Sequence, residues 1–273
     1  VLALASVILL ISVMGAARIK ISHNPMKWLP PTNPARTANE IIDDQLRGTT
    51  SLEVIVDTGE ENRLYDPGFL NRLEEAAIRF ESFEDGKVYV GKAWSINTVI
   101  KETNQALHEN RAQFYTLPRD KDLVAQELLL FENSGSDDLE DFTDSGFSKA
   151  RFTIKVPFID AVAYTNFIDR VHAHFTQAFP RANIEMTGMV SLFTRVITAA
   201  IFSMQESYFY AMIIITVLMV LLIGDIRLGL LSMIPNLAPI VTMIGIMGWA
   251  GIPMDLFCML VGSIAIGLAV DDT

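Results

Sequence analysis

The chain has 273 residues, half of them apolar (51%) and only 19% charged, with a net charge of −11. The charges are uneven. None falls in 1–17, and only Asp225, Arg227, Asp255, Asp271 and Asp272 fall in 207–273, which leaves 28 acidic and 20 basic residues in 18–206. A normally charged block between apolar blocks excludes a disordered chain, a collagen-like chain and a simple soluble enzyme. The excess of acid argues against nucleic acid as a partner. The single cysteine, Cys258, excludes an intrachain disulfide and a CxxC metal site.

Residues 1–17 are uncharged and stop at Arg18 and Lys20, as the end of a membrane span would. Ser12–Ala17 also reads as a signal-peptide cleavage region. Pro25, Pro30, Pro31 and Pro34 make a stiff exit. The pattern then predicts a helix from Ala35 to Arg47 stopped by Gly48, and a strand over Ser51–Asp57. Asp66-Pro67 is a helix start, with Phe69, Leu70, Leu73, Ala76, Ala77 and Phe80 at helical spacing. A strand over Lys87–Ala93 completes one β-α-β unit.

Helices are expected from Ser95 to His108 and from Asp120 to Asn133. Residues 134–146 are rich in Gly, Ser and Asp, but lack the glycine and terminal Glu spacing of an EF-hand, so they read as a solvated acidic loop rather than a calcium site. Lys149–Val156 alternates Ala150, Phe152, Ile154 and Val156 as a half-buried strand. Asp160 caps a helix to Ala178, and Ala182–Thr187 is a strand closed by Gly188. Two β-α-β units predict a split β-α-β, ferredoxin-like α+β domain over 18–206. Phe152, Phe158, Phe167 and Phe175 sit at core spacings, although they also suit a hydrophobic path. His172 and His174 are two apart on a helix and face different ways, so no metal is expected. There is no nucleophile elbow, phosphate loop or triad pattern, hence no enzyme and no cofactor.

Met189–Ser207 runs as helix into a second span, 207–224. A third, 228–252, follows a link of only Gly224–Gly229, which predicts an antiparallel hairpin. Pro235 and Pro239 leave carbonyls unpaired and mark a hinge. Gly245, Gly248 and Gly251 permit close helix approach. A fourth apolar run, 254–273, carries Gly262 and Gly267 and ends in Asp271-Asp272-Thr273. A carboxylate at mid-bilayer costs roughly 2.5–3.5 kcal/mol. Two together titrate as a unit, with one apparent pKa raised. On residues alone the pair reads either as a proton-exchanging site or as a polar helix end in water.

Ile234-Pro-Asn-Leu-Ala-Pro239, Gly248-Trp-Ala-Gly-Ile252 and Ala265-Ile-Gly-Leu-Ala-Val-Asp-Asp-Thr273 resemble the resistance-nodulation-division (RND) superfamily. The most similar branch is the hydrophobe/amphiphile exporters, which includes hopanoid transporters and mycobacterial lipid exporters (MMPL-like). Trp28-Leu-Pro30, Asn33-Pro34 and Thr187-Gly188 fit that branch too. The resemblance implies the N-terminal half of a proton-motive-force-driven exporter of lipids or other hydrophobic molecules. Its spans would form a membrane α-helical bundle, with an extracytoplasmic α+β porter domain over 18–206, in a bacterial inner membrane. Asp271 and Asp272 would be the proton relay, with the proton gradient as energy source. The partners would be a lipid or hydrophobic substrate and the transporter's second half, with a homo-oligomer or periplasmic proteins left open. A sterol-sensing-like lipid sensor or scaffold without transport is the alternative.

Overall fold

The computed structural model describes residues 2–134 and 137–271. In chain order its helices are α1 (Leu2–Ala16), α2 (Pro34–Leu46), α3 (Pro67–Glu81), α4 (Ile96–Leu107), α5 (Lys121–Asn133), α6 (Thr165–Ala178), α7 (Gly188–Ile223), α8 (Ile226–Ala250) and α9 (Leu256–Asp271). The strands are β1 (Thr50–Asp57), β2 (Glu84–Asp85), β3 (Val88–Tyr89), β4 (Lys92–Trp94), β5 (Lys149–Val156) and β6 (Asn183–Thr187). The architecture is mixed α+β with two long apolar helices, and the chain divides into two compact units. One holds Pro25–Ile159 and Ala163–Thr194; the other holds Val1–Asn24, Asp160–Val162 and Arg195–Thr273.

In the α+β unit a four-stranded sheet runs β4-β5-β1-β6, with every neighbour antiparallel. The chain passes from β1 through α3 to β4, and from β5 through α6 to β6. Each helix-linked pair therefore has a strand of the other pair inserted in it, the interleaving of a split β-α-β sheet. Asp66 starts α3 by accepting from Gly68 N at 3.0 Å, with Pro67 at the first helical position. Helical spacing then buries Phe69, Leu70, Leu73, Ala76 and Phe80, and α6 buries Phe167, Ile168, Val171 and Phe175. Both sets join one core with Leu52, Val54 and Val56 of β1 and Ala150, Phe152, Ile154 and Val156 of β5. Phe175 is its centre, 5.0 Å from Phe152 and 6.2 Å from Phe80 between ring centroids.

Three local expectations change. The helix expected from Asp160 begins only at Thr165, after a 3-10 turn over Ala161–Tyr164, and Asp160 does not cap it. The predicted strand Lys87–Ala93 is two pieces: β3 pairs with β2 as a hairpin, and β4 joins the main sheet. The break falls at Val90-Gly91, where a Cβ on Gly91 would stand 1.9 Å from the Arg47 carbonyl oxygen. The backbone changes partner there, Val90 N donating to Phe83 O at 3.3 Å and Gly91 N to Lys155 O at 2.9 Å. At the end of α2 the left-handed cap is Arg47 (φ 54), not Gly48; Gly48 (φ 139) instead passes close under Val156.

In the apolar unit, α7 and α8 are long and apolar enough to cross a bilayer. Only 6% of the apolar window of α7 is buried, so α7 is not the core helix of a soluble protein. In the turn between them Gly224 takes φ 71, and Asp225 accepts from Arg227 N and Leu228 N at 2.8 and 3.0 Å. The main partner of α8, however, is α1 rather than α7. Gly245 and Gly248 face Ser12 and Gly15 so closely that a Cβ on Gly248 would lie 1.9 Å from the Gly15 carbonyl oxygen. Small residues on both helices bring the backbones into direct contact. Trp249 Nε1 donates to Ile11 O at 3.0 Å, and the Arg18 guanidinium sits 4.2 Å from the Trp249 ring centroid. Gly251 contributes no packing; it is the left-handed cap of α8 (φ 68), open on its outer side.

Candidate functional site

The two sheet faces differ because side chains alternate along a strand. Leu52, Val54 and Val56 of β1 and the even-numbered residues of β5 enter the core, while Ser51, Glu53, Arg151, Thr153 and Lys155 point to the other face. There they floor a groove of about 1000 Å³. One wall is α2, through Ala35, Ala38, Asn39 and Ile42; Trp94, Phe142, Phe158 and Met189 supply the apolar rim. At the upper end of typical ligand-site volumes, the groove accommodates a molecule with both polar and apolar parts.

Glu53 organises the floor. Its side chain is only 6% exposed, yet it is fully engaged. Arg151 Nε donates to it at 3.0 Å, Ser51 Oγ at 2.7 Å, and Thr153 Oγ1 in a short bond. A buried carboxylate is tolerated only with such partners. The bond to Glu53 also pushes the Arg151 pKa upward. Gly188 (φ 83) lets the chain enter α7 directly over this carboxylate, where a Cβ would be 2.7 Å from Glu53 Cγ.

The wall is held by polar anchors, since α2 buries no residue. Asp43 Oδ1 accepts from Thr49 Oγ1 at 2.8 Å, and its Oδ2 accepts from Asn39 Nδ2 and Phe158 N at 3.0 Å. The Asp43 carbonyl accepts from the Tyr89 hydroxyl at 2.8 Å, and Arg36 Nη1 reaches Leu29 O at 3.1 Å. Ile41 and Leu46 stay exposed on this helix.

Of the residues expected to carry function, Asp271 closes the backbone of α9, while its side chain and Asp272 lie outside the described residues. Pro235 and Pro239 lie inside α8, which is helical through both. Gly262 is buried, and a Cβ there would meet the Tyr208 hydroxyl of α7 at 3.8 Å; Gly267 faces open space. Of the four phenylalanines, Phe152, Phe167 and Phe175 are core, and Phe158 lines the groove. Residues 25–194 thus hold the groove, which the sequence reading did not single out. Its signal in the sequence is the polar half of the alternation in Ser51–Asp57 and Lys149–Val156.

Three titratable groups outside the groove are set by burial. Glu127 on α5 is 1% exposed, and neither carboxylate oxygen has a hydrogen-bond partner. Burial pushes its pKa up to about 7, opposed weakly by His108. His174 is driven below the usual histidine range by burial, with Arg79 adding to the effect and Glu75 opposing it. In the apolar unit, His23 is buried and its pKa is lowered for the same reason, while Asp255 and Asp160 pull it upward. Its backbone N donates to Asp160 Oδ1 at 3.0 Å, beside the bridge from Ser22 N to Met254 O at 3.1 Å. Among the described residues no group of three or more His, Cys, Asp or Glu side chains is placed to hold a metal.

No model of a known protein family matches the chain, and no curated protein matches it either.

Proposed function

We propose that the chain is the first half of a proton-driven exporter of the RND type, moving lipids or other hydrophobic and amphiphilic molecules. In this reading α1, α7, α8 and α9 belong to a membrane bundle in a bacterial inner membrane. The α+β unit is the periplasmic porter domain, and Asp271 and Asp272 relay protons with partners in the second half. The observation that carries the reading is the groove. A floor of paired charge and hydroxyls beneath an apolar rim matches an amphiphile, whose headgroup needs hydrogen bonds and whose tail needs apolar contact. The sequence resemblance at 234–273 supports the proton coupling.

The test is reconstitution of the full transporter in vesicles with an imposed pH gradient, following loss of a fluorescent phospholipid analogue from the membrane. Gradient-dependent movement is expected, abolished by Asp271→Asn with Asp272→Asn and reduced about tenfold by Phe158→Asp in the groove, where a charge replaces apolar contact. Undiminished movement in the double Asn variant defeats the relay. Gradient-independent binding without movement assigns the chain to lipid-binding scaffolds instead.

A further inference from the structure

A second concavity lies at the other end of β1, where Asp57 pairs with Asn183. It encloses about 440 Å³. Its charge is opposite to that of the chain as a whole: Arg63, Arg72 and Arg181 line it against one acid, Glu60, in a chain with eleven more acids than bases. Arg63 is already balanced, 3.8 Å from Glu60 and 3.5 Å from Asp66. Arg72 and Arg181 are not: among the described residues neither forms an ion pair.

Arg72 is half-buried, its Nε is closed to solvent without an acceptor, and its guanidinium lies 5.3 Å from the Phe179 ring centroid. Phe179 in turn packs on Phe69 at 4.9 Å, so the ring that orients the guanidinium is itself fixed by the core. Taking a cation out of water without an anion is unfavourable, and a ring face offsets only part of that cost. A guanidinium held in one orientation also offers a planar donor fork suited to oxyanions.

We propose that this pocket is an anion site that takes a phosphate group carried on a short apolar body. The phosphate would lie between Arg72 and Arg181 and the apolar part against Phe69 and Phe179. Two unbalanced guanidinium groups match the double charge of a phosphate monoester better than the single charge of a carboxylate. The inference rests on the α+β unit alone and is independent of transport.

The test is calorimetric titration of the full chain in a neutral detergent with hexyl phosphate, inorganic phosphate and hexanoate at constant ionic strength. Hexyl phosphate is expected to bind with the highest affinity. Arg72→Gln and Arg181→Gln should each weaken it at least about tenfold, the loss of one charge-assisted hydrogen bond. Arg181 is exposed and unpaired, so Arg181→Gln should keep the wild-type melting temperature and guards against misreading an unfolded variant. Tighter hexyl phosphate than inorganic phosphate supports the proposal; equal affinity for the two overturns the apolar part of it and leaves a site for free phosphate. Equal binding by wild type and both variants, absence of binding, or preference for hexanoate overturns the proposal.

Discussion

The α+β unit and the apolar unit solve the same packing problem with opposite side chains. The first buries large ones: Phe69, Phe152, Phe167 and Phe175 are all fully enclosed between sheet and helices. The second leaves its large side chains outside, with Leu218, Leu221 and Leu222 more than half exposed, and joins α1 to α8 through Ser12, Gly15, Gly245 and Gly248. In water, removing apolar area from solvent stabilises by about 25 cal/mol per Å², so large residues go inward. In a hydrocarbon surrounding that gain vanishes, and close backbone contact at small residues provides the attraction instead. The side chains of the apolar unit suit the second surrounding, and two of its helices, α7 and α8, are long and apolar enough to cross a bilayer.

The comparison breaks most visibly if the central ring of the first unit is removed. Phe175→Ala should cost about 4 kcal/mol, read as an earlier thermal transition of the α+β unit. Enlarging a residue should damage the other unit. Gly248→Leu, whose Cβ would meet the Gly15 carbonyl, is expected to cost about 3 kcal/mol and to separate α1 from α8. Trp249 fluorescence in detergent reports that separation, and an unshifted spectrum with unchanged stability would contradict the contact.

Glu127 sharpens the account of the first unit through pH. Its folded pKa of about 7 lies above its ordinary 4.5. Below 4.5 both states hold the proton. As pH rises towards 7, the unfolded chain ionises while the folded protein keeps its proton, so stability falls and then levels off. Glu127→Gln should therefore stabilise the unit by about 2–3 kcal/mol at pH 8 and by little at pH 4. Equal stabilisation at both pH values would show that ionisation plays no part.

The smallest effect belongs to the end of the α1–α8 contact. Trp249→Phe removes the hydrogen bond to Ile11 O and weakens the Arg18 contact, and should cost about 1 kcal/mol in detergent melts.

Much of the fold was legible because its signals are local. Asp66, Ser95 and Asp120 each cap the helix that the sequence predicts to start there. The alternation in Lys149–Val156 appears as β5, and the helix that runs on from Met189 is one element to Ile223. The misread segments depend on distant chain. Lys87–Ala93 is β-rich throughout, and it divides because its first part pairs with β2 and its last part with β5. Gly248 and Gly251 look alike in sequence, yet one meets α1 and the other caps α8. The anion pocket had no local signature at all, because Arg72 and Arg181 belong to different strand–helix connections.

From the sequence alone came the division into charged and apolar blocks, the split β-α-β reading and the starts of α3, α4 and α5. All of these follow from residue periodicity and from caps that bond within a turn. Only the tertiary structure could decide which groups meet. Thr153 reaches Glu53 across 100 residues, and Trp249 reaches Ile11 across 238. Such contacts leave no local pattern, because strand order and helix crossing are settled by the whole core and by the space available to backbones. The groove and the basic pocket arise from that same global packing.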